Sequence, residues 1–236
     1  MIKLITFDLD NTLWDANPVL VKAEQALYAW LQDNCPELAS RYSIDTMRDH
    51  KTAVANENPE LIHRVSALRL EALKRALYEV GYGGKEAEAL AGQAFSVFHK
   101  ARQRVTLFEH AQHVLESLSQ RYKLAALTNG NADVAIIGLD HYFDFALSAD
   151  DIGRQKPDPT MFLLALEKAK VDASQVVHIG DHPEHDIKGA QDVGLHTIWV
   201  DFDASGWQGE AEPTEVANCL SEIPKLISQI ENSQFK

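Results

Sequence analysis

The sequence predicts an α/β protein: a parallel sheet covered by helices on both faces, with an all-helical domain inserted after the first strand. Three observations carry that reading. Short β-prone apolar runs end abruptly in polar clusters, helical periodicity fills the intervals between the later runs, and residues 15–104 break the alternation with helical patterns alone.

The runs come first. Lys3–Phe7 ends in Asp8-Leu-Asp10-Asn-Thr, Tyr122–Leu127 in Thr128-Asn-Gly-Asn131, Val176–Ile179 in Gly180-Asp181, and Thr197–Val200 in Asp201, with Phe145–Leu147 as a shorter fifth strand. Between them, His110–Gln120 places Val114, Leu115 and Leu118 at helical spacing. Asp158-Pro159 reads as the N-cap and first-turn proline of a helix carrying Phe162, Leu163, Leu166 and Ala169. In a parallel sheet of this kind function gathers at the carboxyl ends of the strands, where every one of these polar clusters falls.

The insert shows helical patterns at Val19–Leu31, Leu61–Val80 and Glu86–Arg102, punctuated by Pro36, Pro59 and Gly81-Tyr-Gly-Gly84. The expected division is a core of residues 1–14 and 105–236 and a cap domain of residues 15–104 over the strand ends. Ala204–Pro213 reads as an exposed loop before a terminal helix around Cys219–Ile230.

Composition narrows the function. The 236 residues are 45% hydrophobic, enough for a sizeable core, and carry a net charge of −13. That field repels nucleic acid and anionic membrane, and it repels phosphorylated metabolites unless a cation reverses the local potential. Cys35 and Cys219 make neither a disulfide framework nor a metal cluster, and no targeting segment or apolar span stands out, so a soluble cytoplasmic protein is expected.

Attack of a carboxylate on a phosphate monoester brings two anions together. It needs a cation, a fixed positive side chain, donors for the equatorial oxygens and an acid for the leaving alcohol. Asp8 and Asp10 offer a nucleophile and an acid/base at one strand end, although an Asp-x-Asp pair alone equally suits a calcium or nucleotide-sugar metal site, or a solvated turn. Thr128, Asn129 and Gly130 offer a hydroxyl and backbone N–H groups ahead of a helix expected near Ala132, which makes a phosphate cradle or an ordinary turn. Lys156 offers a point charge or a surface-loop lysine. Asp181 and Asp186 offer hard oxygens for magnesium, or a turn and a helix cap. Each cluster is ambiguous alone; their common place at strand ends favours chemistry.

Phe7-Asp-Leu-Asp-Asn-Thr-Leu13, Leu127-Thr-Asn-Gly130, Lys156-Pro-Asp158 and Ile179-Gly-Asp-His-Pro-Glu-His-Asp186 resemble the four signature motifs of the haloacid-dehalogenase superfamily. The helical insert resembles that superfamily's type-one cap, so the resemblance covers nearly the whole chain. It implies a Rossmann-like core, Mg²⁺ and an aspartyl-phosphate intermediate. Asp8 would be the nucleophile, Asp10 the acid/base, and Thr128 and Lys156 the phosphate binders. The metal would be held by Asp8, the Asp10 backbone carbonyl and Asp181, with Asp186 supporting directly or through water. His185 departs from the asparagine that many relatives carry before the final aspartate, and Asp10 argues against the dehalogenases, which lack this second acid.

A narrower resemblance, in Asn58-Pro-Glu-Leu-Ile-His63, Arg69, Leu127–Ala132 and Gly153–Pro157, is to bacterial flavin mononucleotide phosphatases, a group that also acts on a phosphorylated ribitylaminouracil precursor of riboflavin. The expected partner is therefore a small phosphorylated metabolite, with no nucleic acid or membrane, and a monomer or small homo-oligomer. Pyrimidine 5′-nucleotidase, sugar phosphatase, phosphomutase or phosphotransferase, and a silent phospho-ligand-binding protein are the alternatives. Trp14 and Trp30 are candidates to stack on a flat ring if they face the cleft, although such residues more often pack in a core or cap. His178, His182 and His185 invite a zinc reading, set aside because His178 falls in a buried strand and a fourth donor is wanting; His110 and His113 read as solvated or structural.

Overall fold

The computed structural model describes residues 1–233. The chain forms two compact units, Ala16–Val105 and the remainder, Met1–Asp15 with the chain from Thr106 onward.

The helical unit follows strand β1 (Leu4–Phe7) and contains α1 (Ala16–Asn34), α2 (Pro36–Arg41), α3 (Ile44–Glu57), α4 (Val65–Glu79) and α5 (Gly84–Arg102). Leu27, Leu31, Leu73, Leu77, Ala91 and Phe98 meet in its core, and Trp30 packs partly buried against them. α2 and α3 had no counterpart among the apolar patterns. The reason for α3 is physical: it buries only Met47 and Val54, so its sequence shows no apolar stripe. Its signal is the start, where Ser43 and Thr46 cap each other reciprocally.

The larger unit continues with α6 (Ala111–Ser119), β2 (Lys123–Thr128), α7 (Val134–Ile137), β3 (Phe145–Ser148), α8 (Ala149–Ile152), α9 (Thr160–Ala169), β4 (Val176–Gly180), α10 (Gly189–Asp192), β5 (His196–Val200), β6 (Glu215–Ala217) and α11 (Ile223–Ser233). The six strands are all parallel in the order β3-β2-β1-β4-β5-β6. Leu4, Leu127 and Val176 pack against Met161, Phe162 and Ala165 of α9 on one face. α6 and α11 pack together and against β2 and β5, with Val114, Leu115, Ile223 and Ile227 buried. This is the Rossmann-like α/β core that the alternating pattern predicts, with helices on both faces. No helix among the described residues is long and apolar enough to cross a membrane.

Three local expectations change. Edge strand β6 was not foreseen, being three residues long with Val216 outward. α9 starts at Thr160, with Asp158 outside it accepting the Thr160 N–H at 2.9 Å. The terminal helix begins at Ile223, because Cys219 precedes a separate turn at Leu220–Glu222.

Phe162 is fully buried against the sheet, and its ring meets His178 edge-on at 5.1 Å. Phe162→Ala should lower unfolding stability by about 3–5 kcal/mol, read from the urea midpoint, by lost transfer energy and an unfilled cavity.

Candidate active site

Chain order turns back at β1, with β2 and β3 on one side and β4 to β6 on the other. In parallel register Phe7 lies between Ala126 and Ile179. The next residue, Asp8, therefore emerges at the switch point between the Thr128 loop and the Gly180-Asp181 loop. Its N–H donates to the Ile179 carbonyl at 2.8 Å, tying the Asp8 loop to β4.

Lys156 is the hub. Its ammonium donates to Asp8 Oδ1 at 2.8 Å, Asp186 Oδ1 at 2.7 Å and the Leu127 carbonyl at 2.6 Å. All three protons are thus engaged, and the residue is 1% exposed, which removes the surface-loop alternative. Asn129 clasps the Lys156 backbone from both sides, accepting from its N–H at 2.7 Å and donating to its carbonyl at 3.0 Å. The Asn129 side chain thus holds the lysine loop, a task separate from the phosphate cradle expected of the Thr128 hydroxyl and the backbone N–H groups. The expected helix near Ala132 is a single turn, α7, whose first N–H groups go to Asp133 Oδ1, so its N-terminus is already satisfied by a carboxylate. Thr128 is buried at the cleft with its hydroxyl accepting the Gly130 N–H at 3.0 Å.

Asp186 is locked from several directions. Oδ1 accepts from Lys156 and meets His178 Nε2 at 3.2 Å, while Oδ2 accepts the His182 N–H at 2.9 Å. The other His178 nitrogen meets Thr6 Oγ1 at 2.8 Å, its cross-strand neighbour in register. This Asp186 position exists because residue 180 is glycine: a Cβ there would lie 2.4 Å from Asp186 Cγ. Thr12, buried, bridges Asp8 Oδ2 and Asp181 Oδ1 at 3.3 Å each. The sequence offers His178 only as a discarded zinc ligand in a buried strand and Thr12 only as part of a motif, and neither as a support of these carboxylates. Thr12 could have been read as one, since it lies one helical turn beyond Asp8, but the His178 bond depends on strand register.

Among the described residues one group of three metal-ligating side chains converges, Asp8, Asp181 and Asp186, with an oxygen from each within 4.8 Å of the others. Three carboxylates face one lysine. Burial pushes the Asp8 carboxyl well above its usual range, beyond what Lys156 offsets, and Asp186 and Asp181 push the same way. Burial and then Asp186 raise Asp181 to about 6. For Asp186 burial is outweighed by Lys156 and His178, and its carboxyl falls well below the usual range. Lys156 is raised despite burial, by Asp186 and Asp8. Burial lowers the His178 imidazole, with Asp186 opposing. The unneutralised negative charge and the hard-oxygen donor set fit a divalent cation.

Asp10 and Asn11 line the same cleft of about 160 Å³, together with Thr128, Asn129 and Gly130. The Asp10 carboxylate stands outside the converging three and accepts the Trp14 indole N–H at 2.8 Å. Trp14 is wholly buried, which rules out ring stacking there. His182 and His185 stack face to face at 3.8 Å on the cleft wall, with His182 Nδ1 accepting the His185 N–H at 3.2 Å. Burial and then His182 lower the His185 imidazole.

Two outcomes follow from this geometry. Gly180→Ala should displace Asp186 and weaken Mg²⁺ binding on the order of 10- to 100-fold by calorimetry, as losses around ligands do. The rise in thermal midpoint on adding Mg²⁺ should be larger at pH 7.5 than at pH 5. Asp181 keeps its proton up to about 6, so above that pH it adds its charge to the metal-free site and the cation relieves the added repulsion.

Comparison with known proteins agrees with the geometry. A family model for haloacid dehalogenase-like hydrolases matches residues 2–194. The 5-amino-6-(5-phospho-D-ribitylamino)uracil phosphatase of Escherichia coli is 35% identical over 84% of this chain and 83% of that enzyme. A glyceraldehyde 3-phosphate phosphatase of Pyrococcus abyssi is 28% identical over 98% of this chain and 95% of its own. A crystal structure described as a 2-haloacid dehalogenase from Pseudomonas syringae superposes with a TM-score of 0.93 at 44% identity, covering 97% of this chain and 99% of that one. With its motifs at the strand ends and phosphatases among its relatives, the chain belongs to the haloacid dehalogenase-like hydrolases and is a phosphoric monoester hydrolase of that family.

Proposed function

We propose that the enzyme is a Mg²⁺-dependent phosphatase of small phosphomonoesters that works through an aspartyl-phosphate on Asp8. The observation that carries this is the convergence of Asp8, Asp181 and Asp186 around the single ammonium of Lys156. The ion would be held by Asp8, Asp181, the Asp10 carbonyl and Asp186, and it supplies the positive charge that lets a carboxylate approach a phosphate dianion.

The chain's own residues divide the remaining work. An Asp8 oxygen attacks phosphorus while the Thr128 hydroxyl donates to an equatorial oxygen and the Lys156 ammonium, its protons kept by Asp8, Asp186 and the Leu127 carbonyl, lends its positive charge to the phosphoryl group. Asp10 gives its proton to the departing alcohol, then takes one from the water that hydrolyses the phosphoaspartate. Thr12 and Lys156 fix the two Asp8 oxygens, so the nucleophile needs little reorganisation. The helical unit serves as the cap domain and selects the leaving group, and the enzyme is cytoplasmic.

For the substrate we favour flavin mononucleotide or a phosphorylated riboflavin precursor, on the likeness to the Escherichia coli enzyme that acts on 5-amino-6-(5-phospho-D-ribitylamino)uracil. The likeness to a structure described as a dehalogenase favours a second reading, halide displacement by Asp8. A carboxylate positioned to act as acid, Asp10, has no task in that reaction.

The test is phosphate release, with and without chelator, from flavin mononucleotide, the ribitylaminouracil phosphate, nucleoside 5′-monophosphates and sugar phosphates, with halide release from a 2-haloacid alongside. Chelator-sensitive phosphate release, strongest with the flavin or its precursor, is expected. Asp8→Asn should lower it on the order of 10³-fold or more while the protein stays folded. Release strongest from another ester would discard the flavin assignment, and halide release without phosphate release would overturn the phosphatase reading.

A further inference from the structure

Trp14 is the largest fully buried side chain among the described residues, and its one polar atom donates to Asp10 Oδ1 at 2.8 Å. A buried indole N–H needs an acceptor, and a backbone carbonyl would serve. Here the acceptor is a carboxylate oxygen of a residue that lines the cleft.

The indole has little freedom to move. The Asn11 N–H donates to the Trp14 carbonyl at 2.7 Å, and the Leu13 N–H to the Leu9 carbonyl at 2.9 Å, so the segment from Leu9 to Trp14 is a closed loop. Asn11 sits at φ 62, a left-handed conformation that asparagine tolerates better than most residues. Beyond the loop, Trp14 pairs antiparallel with Leu107, and the Phe108 N–H donates to the Leu13 carbonyl at 2.8 Å. The indole is thus anchored to the first strand's exit loop and to the segment before α6.

Resting on the reading of Asp10 as acid/base, we propose that Trp14 is the positioning residue of that carboxyl group. With Oδ1 accepting from the indole, the transferable proton resides on Oδ2, and the carboxyl is held against the rotation that would exchange its oxygens. In the first half-reaction the Oδ2–H bond breaks as the bond from phosphorus to the ester oxygen breaks, and the proton passes to the departing alcohol. In the second, a water proton passes to Oδ2 as the water oxygen bonds to phosphorus. The bond from phosphorus to Asp8 then breaks and restores both carboxyl groups.

Trp14→Phe removes the N–H and keeps most of the ring. Its kcat/KM for an alkyl phosphate should fall about 10- to 100-fold, a part of what general-acid catalysis contributes. For 4-nitrophenyl phosphate, whose phenolate leaves unprotonated, kcat/KM should hold within about 3-fold, because that ratio reports only steps through leaving-group departure. Its kcat should fall, with a burst of nitrophenolate, because the water step still uses Asp10. On an Asp10→Asn background the same change should cost nothing further. Equal losses in kcat/KM for both substrates, no loss with the alkyl ester, or full additivity with Asp10→Asn would overturn the proposal.

A second readout needs no activity. The Trp14 indole cross-peak in a ¹H–¹⁵N spectrum of the wild-type protein should move upfield in Asp10→Ala, and an unmoved peak would overturn the bond. A wild type inactive on every phosphomonoester would instead sink the phosphatase reading, with the indole signal still deciding the contact. The spectrum also decides the matter if Trp14→Phe does not fold.

Discussion

One buried ammonium shared between two carboxylates sets the conditions for the rest of the site. Lys156 reaches Asp8 and Asp186 from a loop, while the carboxylates come from the ends of β1 and from the turn after β4. Burying three such charges costs several kcal/mol per ion, and removing any one leaves the others uncompensated. The surrounding structure prevents that. Asn129 clasps the lysine backbone, the Leu127 carbonyl takes its third proton, and His178 and the His182 N–H secure Asp186. Each support comes from a strand or strand end of the same sheet, so the register of β2, β1 and β4 fixes the charges as firmly as any direct contact.

The arrangement is undersupplied with positive charge. Asp8 and Asp181 are both pushed up, by burial first, and one lysine serves three acidic groups. A chain of net charge −13 adds to that deficit. A phosphate dianion approaching such a centre would meet repulsion from every side, so local cationic charge is the condition on which carboxylate attack depends. The donor set meets that condition for a hard divalent ion, and none of the three histidines nearby joins the converging group.

The fold was readable wherever burial alternates with polar strand ends. β1, β2 and β4 announced themselves because each apolar run stops abruptly at a polar cluster, and the family motifs fell on those stops. α3 was not readable, because its two buried residues make no stripe, and β6 was too short to show alternation. In the site, the residues that bring charge could be named from their types and places. Those that hold them could not. Asn129 sat in a motif but turned its amide to the lysine loop, and His178 pairs with Thr6 only through strand register. Trp14 offers the sequence reader a ring for stacking or for packing because sequence shows the indole's size, while the direction of its N–H is a property of the folded loop. Side chains that act on substrate are constrained by chemistry, and those that act on other side chains by geometry alone.

The four carboxylates at the cleft are of two kinds, and the difference lies in their partners. Asp8 and Asp186 share a cation, and Asp181 stands beside them through Thr12. Asp10 lies two residues from Asp8, yet its oxygen is held by a neutral indole donor. A cationic partner works toward the carboxylate form, outweighing burial at Asp186 and offsetting part of it at Asp8. A neutral N–H can be kept whether or not the opposite oxygen carries a proton, as a group that must give and regain a proton each turnover requires. This contrast separates ester hydrolysis from halide displacement on a shared fold, because the second reaction has no alcohol to protonate. A close structural likeness to a protein described as a dehalogenase leaves that distinction open at the level of the backbone. On the proposed reading it is made by one carboxyl group and the tryptophan behind it.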